Sequence, residues 1–241
     1  MEYVLLFVIG IVAAYLQCAI GFGSAVLMIN VLPFFLSPSL TVVVTQFACI
    51  VFPVYMVLRL YRKVRMDVLL PVLVPCLVCT VIATRLSIGM ETGTMKLLLG
   101  ILFILLSVYF SFVADKISLR PTRLTGAVVG SVSGILGGLF VAGGPPVVLY
   151  MAPALSDKDE YVATIQVYFL ALNIMSLMTR VISKAVSSSD MPYMLTAALG
   201  ALLGAFIGMN YTKGIKGVLL KRFIYAFVGI NGIVMVLNEV L

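Results

Sequence analysis

Long apolar stretches without charge, separated by short polar breaks, dominate this chain. No charged residue occurs between Glu2 and Arg59, or between Arg123 and Asp157. A helix needs roughly 20 apolar residues to span a membrane, and both stretches exceed that length. The pattern predicts an all-α, polytopic integral membrane protein whose apolar segments cover residues 3–19, 22–36, 39–60, 67–85, 95–113, 122–139, 143–155, 160–182, 191–211 and 218–238.

The two halves of the chain share a plan at an offset of 120 residues. Segment lengths and breaks coincide, and so do individual residues: Gly10 and Gly130, Gly23 and Gly143, Pro33 and Pro153, Gln46 and Gln166, Lys96 and Lys216. Internal repeats of this kind are common in secondary transporters. We therefore predict two inverted repeats of about five helical segments each, residues 1–114 and 121–241, each opening with a glycine-tipped hairpin.

The distribution of cations predicts the topology. If residues 3–36 and 122–155 each form a hairpin that enters and leaves on one side, 12 of the 16 Lys and Arg residues fall in loops on one face and 4 on the other. Single crossings would give 9 against 7. Because cytoplasmic loops carry the excess of cations, the hairpin arrangement is favoured. It places both chain ends outside and gives the two halves opposite orientations.

The hairpin arms are short for membrane-spanning helices. Residues 3–19 would form a helix of about 25 Å, and residues 22–36 a shorter one, against a hydrocarbon core of about 30 Å. The glycine-rich tips also carry no charge. We expect the tips to lie inside the membrane, where irregular backbone must be buried in protein or line a wet cavity.

Composition and charge narrow the class of protein further. Hydrophobic residues make up 63% of the chain and charged residues 10%, whereas soluble domains have about a quarter of their residues charged. The net charge of +7 does not indicate nucleic-acid binding, because the basic residues cluster in short loops and not on one face. Lipid is therefore the expected partner of the surface. A homo-oligomer is compatible with the sequence.

The two hairpin tips are the first candidate binding elements. Gly21, Gly23 and Ser24 form one tip, and Gly143, Gly144, Pro145 and Pro146 form the other. Glycine lets backbone amides approach a ligand closely, and the helix that follows points its partly positive amino end at the same place. The alternative interpretation is that these glycines only permit close helix packing. The residues alone weigh the two interpretations evenly.

Polar residues inside apolar segments are the second group of candidates. Gln46 and Gln166 occupy matching positions in the helix after each hairpin. An unpaired amide in lipid is costly, so both should face protein or a cavity, where they bond either a substrate or another helix. Asn30, Tyr150 and Asn173, with Gln17 and Tyr168, are weaker candidates of the same kind. Arg85 and Arg180 lie near outer helix ends, where they could help an anion leave or enter, but we expect them to snorkel to the interface.

Several absences exclude other functions. The chain has no histidine, and every Asp and Glu lies in a loop or at a segment end. A membrane hydrolase would need a nucleophile with a base, or metal ligands, and the Cys76/Cys79 pair has no further ligand nearby. We therefore predict no catalytic residue, metal or cofactor. No ATP-binding motif is present, which excludes primary active transport by this chain alone.

Two segments carry a resemblance to a known family. QCAIGFGSAVLMINVLPFFLS and GSVSGILGGLFVAGGPPVVLYMAP resemble the two glycine-rich signatures of the TauE/SafE family of membrane permeases. The first departs from the pattern, with GFGSA in place of a longer glycine run. The resemblance covers essentially the whole chain. It implies an inner-membrane transporter of small, mostly sulfur-containing anions such as sulfite or sulfonates, with Gly21, Gly23, Gly143, Gly144, Pro145 and Pro146 shaping the central site.

Together these observations predict a secondary transporter of a small anion, held near the midplane of the membrane. The expected substrate-binding residues are Gly21, Gly23, Ser24, Asn30, Gln46, Gly143, Gly144, Pro145, Pro146, Tyr150, Gln166 and Asn173. A passive channel for small anions or neutral solutes, and a membrane scaffold without transport activity, are the alternative functions. The substrate, the direction of transport and the coupling ion stay open.

Overall fold

The chain is helical throughout its described residues. The computed structural model describes residues 2–20, 23–109, 119–211 and 217–240, with the side chains of residues 19, 20, 210, 211, 217–227 and 240 outside that description. These ranges contain no strand. They form α1 Glu2–Ile20, α2 Ser24–Val31, α3 Pro38–Leu60, α4 Met66–Ile88, α5 Thr92–Val108, α6 Arg123–Phe140, α7 Gly144–Ala154, α8 Lys158–Ile182, α9 Met191–Tyr211 and α10 Gly217–Val240.

The predicted all-α polytopic architecture is confirmed. Within the described ranges, five helical segments are long and apolar enough to cross a membrane by length and composition, namely Pro38–Lys63, Met66–Ile88, Arg123–Phe140, Lys158–Ile182 and Ser188–Met209. The second arms of both hairpins are much shorter. α2 has 8 residues and α7 has 11, which gives lengths of about 12 and 16 Å. Neither arm can span a hydrocarbon core of about 30 Å as a helix.

Side chains and prolines define where the helices begin. Ser37 accepts a hydrogen bond from the amide of Leu40 at 3.4 Å, and Pro38 occupies the first turn of α3, where a missing amide is harmless. Asp157 accepts from the amide of Glu160 at 2.9 Å. That bond caps α8 and lowers the pKa of the Asp157 carboxyl. The start of each of these long helices is therefore set by its own cap.

The helix pairs follow a pattern that stays the same when the two halves of the chain are interchanged. α1 packs along α9, and α4 packs along α6. α3 crosses α8, and α5 packs on α10. At the offset of 120 residues, α1 corresponds to α6 and α4 to α9, so each of the first two pairs maps onto the other. The predicted boundary after residue 114 and the predicted counterpart of Lys96, Lys216, lie outside the described residues.

Glycines make the two matching pairs unusually close. On α6, Gly130, Gly134 and Gly138 follow one another at intervals of four and face the backbone of α4. A Cβ at Gly130 would clash with the carbonyl of Val72, and one at Gly134 with that of Cys76. Gly200 and Gly204 of α9 approach the backbone of α1 in the same way. Small residues at this spacing let helices in lipid pack backbone to backbone.

The outer surface is apolar, as a lipid environment requires. Large hydrophobic side chains such as Leu58, Leu86, Leu124 and Ile182 are more than half exposed. A surface of this kind is costly in water and favourable in a bilayer. Buried polar side chains instead gather inside the bundle, on the faces of α3, α4 and α8 that meet one another. The chain is an integral membrane protein whose interior is more polar than its surface.

The close α4–α6 contact generates a prediction about stability. Gly134→Ala should lower the melting temperature of the purified protein, because the new methyl group forces the two helix backbones apart at a cost of about 1–3 kcal/mol. Differential scanning fluorimetry in detergent measures this shift. Gly89→Ala is the matched control, since a Cβ there meets nothing within 4 Å. Equal melting temperatures for the two variants would contradict the packing described here.

Candidate functional site

A small cavity lies between the two hairpin tips. It encloses about 40 Å³, which is room for about three water molecules or one small polyatomic ion. Residues of α1, of both tips, and of α3 and α8 surround it: Gln17, Gly23, Ser24, Ala25, Val26, Cys49, Val141, Gly143, Gly144, Pro145, Phe169, Leu172 and Asn173. Of the predicted site residues, the structure therefore brings Gly23, Ser24, Gly143, Gly144, Pro145 and Asn173 together.

The lining residues come in matching pairs from the two halves. Four pairs are separated by 120 positions: Gly23 and Gly143, Ser24 and Gly144, Ala25 and Pro145, Cys49 and Phe169. The cavity is thus built from the same four positions of each half. This is the arrangement that a site on a pseudo-twofold axis requires, and it supports the predicted repeats.

The first tip presents amide donors to the cavity. Gly23 has a φ of 109°, a left-handed conformation that a Cβ would disfavour, and it turns the chain into α2. The first bond inside this helix runs from the amide of Leu27 to the carbonyl of Gly23 at 3.0 Å. Since the first amides of a helix have no acceptor within it, those of Ser24, Ala25 and Val26 are available to a ligand.

Polar side chains hold the Ser24 hydroxyl at the cavity wall. It donates a hydrogen bond to Gln17 Oε1 on α1 and lies 3.4 Å from the thiol of Cys49 on α3. Both Gln17 and Ser24 are buried. The hydroxyl is therefore fixed between two helices, and the three side chains provide polar atoms on one side of the cavity.

The second tip offers fewer backbone amides to the cavity than the first tip does. It contributes mainly the shape of the wall and the dipole of α7. Pro145 and Pro146 stand in the first turn of α7, so two of its first backbone nitrogens carry no proton. The Ser133 hydroxyl donates to the carbonyl of Gly143, and Tyr168 donates to Ser133 Oγ at 2.6 Å. These bonds attach the tip to α6 and α8. The partly positive end of α7 is thereby fixed against the cavity.

Asn173 supplies the remaining polar group on α8. Its Nδ2 donates to the carbonyl of Phe169 in the same helix at 2.9 Å, while Oδ1 is buried without a hydrogen-bond partner. A ligand that carries a proton would satisfy this oxygen. Because Nδ2 is held by the carbonyl of Phe169, Asn173 offers an acceptor to the cavity and favours a ligand that carries a proton.

The two predicted glutamines lie outside the cavity and apart from each other. Gln46 donates through Nε2 to Ser176 Oγ at 2.5 Å. Ser176 stands ten residues beyond Gln166 on α8, a distance of about 15 Å along the helix. Both glutamines are buried, and each has an Oε1 without a partner. Gln46 thus takes part in helix–helix bonding near the cavity.

The other residues predicted to bind the substrate are either not among the lining residues of the cavity or lie outside the described residues. Asn30 is paired with Asn231 of α10. The Tyr150 hydroxyl reaches the carbonyl of Thr122 at 3.5 Å. Pro146 follows Pro145 in α7 but is not among the lining residues. Gly21, predicted to shape the first tip, lies outside the described residues.

Several lining residues escaped the sequence analysis as site candidates. Cys49 and Phe169 stand one helical turn after Gln46 and Gln166, at the matching offset, and line the cavity where the glutamines do not. Their apolar character concealed them, although the offset was a usable signal. Among the described residues, no group of three or more His, Cys, Asp or Glu side chains is placed to hold a metal ion.

Comparison with known proteins gives one match. Residues 6–235, nearly the whole chain, match the model of a family described as sulfite exporter TauE/SafE. No curated protein and no solved structure matches significantly. The family model therefore agrees with the resemblance of the two glycine-rich segments, and it covers both halves of the chain.

The position of Cys49 generates a prediction about access to the cavity. A variant that keeps Cys49 as its only cysteine should react slowly with an anionic methanethiosulfonate, because its thiol is 6% exposed, and a bound anion should slow the reaction further. Labelling followed by mass spectrometry gives the two rates. A variant that keeps only Cys79, which is partly exposed and does not line the cavity, should show no protection. Equal protection of Cys49 and Cys79 would contradict binding of the anion in this cavity.

Proposed function

The chain belongs to the sulfite exporter TauE/SafE family, and from that premise we propose that it is a secondary transporter of a small sulfur-containing oxyanion. The family is one of membrane transporters, and the proposal concerns the substrate, its binding site and the mechanism. Sulfite and small sulfonates are the substrates that fit the site best. The proposed location is the plasma or inner membrane, with both chain ends outside.

The convergence of two helix amino ends on one cavity carries this proposal. Each end has a partial charge of about +0.5, so α2 and α7 together offer at most about one positive charge, which the carboxyl end of α6 beside the lining residue Val141 offsets in part. None of the described lining residues carries a charged side chain. A cavity without charged side chains, at which two positive helix ends meet, favours an anion over a cation, and one of low charge.

The size and chemistry of the lining favour a small oxyanion. The volume of about 40 Å³ leaves no room for a large organic acid. The amides of the first tip can donate to several oxygen atoms of one ligand. Phe169, Leu172 and Val26 exclude water from the other side, which strengthens these bonds. Bisulfite, which carries a proton, could also donate to Asn173 Oδ1.

The helix pairs support an alternating-access mechanism. If the two halves are inverted repeats, the α1–α9 and α4–α6 pairs are equivalent and each joins one half to the other. Movement of one half against the other would then open the cavity first to one face and then to the opposite face. A proton carried by the substrate itself would couple transport to the proton gradient without a buried carboxylate. Gln46 and Gln166 would act within the helix interfaces that move.

Narrowing the cavity should impair transport without unfolding the protein. A Cβ at Gly144 would lie 3.5 Å from the ring of Phe169, which is ordinary contact, so Gly144→Ala should fold normally and reduce the space for a ligand. We expect the KM for sulfite in proteoliposomes to rise about tenfold, which corresponds to about 1.4 kcal/mol of binding energy. Uptake of radiolabelled sulfite measures this change.

Gly89→Ala, which meets no neighbour within 4 Å, is the control and should transport as the unmodified protein does. The unmodified protein should also show saturation and counterflow. A flux proportional to the sulfite concentration, without counterflow, would indicate a passive channel instead of a transporter. The absence of flux with any sulfur oxyanion would indicate a membrane scaffold without transport activity. An unchanged KM in Gly144→Ala would mean that the substrate does not bind in this cavity.

A further inference from the structure

Arg180 is a buried cation that the central cavity does not use. Its side chain is 2% exposed, so the expectation that it snorkels to the interface is wrong. Its Nη2 donates to Ser87 Oγ at 2.8 Å and to the carbonyl of Gly138 at 3.2 Å. The Nε has no hydrogen-bond partner. Within the described part of the chain, no carboxylate lies within ion-pair distance of the guanidinium.

A charge in this position has a high energetic cost. A buried cation is normally paired, because desolvation without a counter-charge is strongly destabilising. Here the neighbours are a hydroxyl and the carboxyl end of α6, whose partial negative charge compensates only in part. The unpartnered Nε leaves one edge of the guanidinium unsatisfied. Both protons of Nη2 are already donated to Ser87 and Gly138, so Nε is the free donor on this edge, for one oxygen of an anion.

A chain of buried polar groups connects Arg180 to the level of the cavity. Gln46 donates to Ser176, whose hydroxyl lies 2.8 Å from that of Thr84. Thr84 donates in turn to the carbonyl of Gly138 at 3.3 Å, the same carbonyl that Arg180 contacts. Polar groups from four helices are therefore continuous from the middle of α3 to Arg180.

Arg180 lies further along α8 than the residues that line the cavity, toward the carboxyl end of that helix. Asn173, Ser176 and Arg180 follow at intervals of three and four, so they share one face of the helix. Arg180 stands about 10 Å past the lining residue Asn173, and its side chain leans back toward the start of the helix. Its contact, Gly138, precedes the lining residue Val141 by three positions. The guanidinium thus stands between the cavity and the end of the molecule that carries residues 183–190.

The matching positions of the other half show that packing does not require this polar set. The residues 120 positions away from Arg180, Ser176, Thr84 and Ser87 are Leu60, Met56, Gly204 and Ile207. Under the two-repeat proposal, the equivalent crossing is built from apolar residues and glycine. A cation at this place is therefore a feature of one side of the protein only.

From these observations, and resting on the proposed function, we infer that Arg180, held in place by Ser87, forms a second anion-binding position on the substrate route between the cavity and the face that carries residues 183–190. The ligand class is the small oxyanion proposed for the cavity. An anion that leaves or approaches the cavity on this side would pair with the guanidinium and be relieved of the cost of desolvation. Under the two-repeat proposal the matching position on the opposite side is Leu60, so a buried arginine stands on one of the two routes only.

Anion binding to purified protein tests the inference directly. We expect sulfite to raise the melting temperature of the unmodified full chain in detergent, against sodium chloride at equal ionic strength. In Arg180→Gln, the half-saturating sulfite concentration should rise at least about tenfold, whereas Arg180→Lys, which keeps the charge, should stay closer to the unmodified protein. Arg85→Gln is the matched control, because Arg85 is an exposed arginine in the last turn of α4, and it should leave the concentration unchanged.

The ranking of the variants separates binding from a purely structural role. A glutamine amide can still donate to the carbonyl of Gly138, so a structural arginine would be replaced better by glutamine than by lysine, and that ranking would overturn the inference. Equal losses in Arg180→Gln and Arg85→Gln, or no sulfite-dependent shift in any protein, would overturn it as well. If Arg180→Gln does not fold, Arg180→Lys decides: a retained sulfite-dependent shift supports the inference, and its complete loss overturns it.

Transport in proteoliposomes distinguishes this inference from the proposed function. If the unmodified protein transports sulfite and Arg180→Gln does so with an unchanged KM, the inference fails and the function stands. If sulfite binding depends on Arg180 but no sulfite is transported, the binding position stands and the transport function fails.

Discussion

The requirement that backbone polar groups be satisfied inside a membrane governs this structure. A hairpin tip within lipid would leave the amides of the following helix without acceptors, at several kcal/mol for each group. Here two such tips meet inside the bundle, and the amino ends of α2 and α7 point at one small cavity. Under the proposed function, a ligand with negative charge would satisfy both ends at once. The constraint that makes the tips costly would then also make them a binding site.

Close helix packing makes this meeting of the tips feasible. The glycines of α6 and α9 bring α4–α6 and α1–α9 into backbone contact, so each hairpin is held against a long helix of the other half. Gly130 and Gly134 thus serve helix packing, whereas the tip glycines Gly23 and Gly144 line the cavity. The binding role predicted for the tip glycines stays a prediction. The same property of glycine, the absence of a Cβ, suits both kinds of place, because it permits close approach to the backbone.

Much of the fold could be predicted from the sequence, since the helix bounds follow from breaks that proline, glycine and charge impose. The tips could be predicted for the same reason. The partners of buried polar side chains could not, because the contact of Gln46 with Ser176 joins residues 130 positions apart. Helices that are apolar on all sides also give no signal about which face is buried. Arg180 shows the consequence: its place near a helix end suggested the interface, but its side chain points into the bundle.

The distribution of charge around the cavity bears on which anions the protein could distinguish. The amino ends of α2 and α7 offer at most about one positive charge, which under the proposed function suits a monoanion such as bisulfite inside the cavity itself. Arg180 adds a buried full charge near the end of α8, whereas the matching position of the proposed repeat holds Leu60. An anion that passes between the guanidinium and the cavity would therefore meet a compensating charge of similar size at both places. A dianion would exceed that charge at each position, because neither position offers two positive charges. The pair of positions would in this way favour a substrate that stays a monoanion along its route.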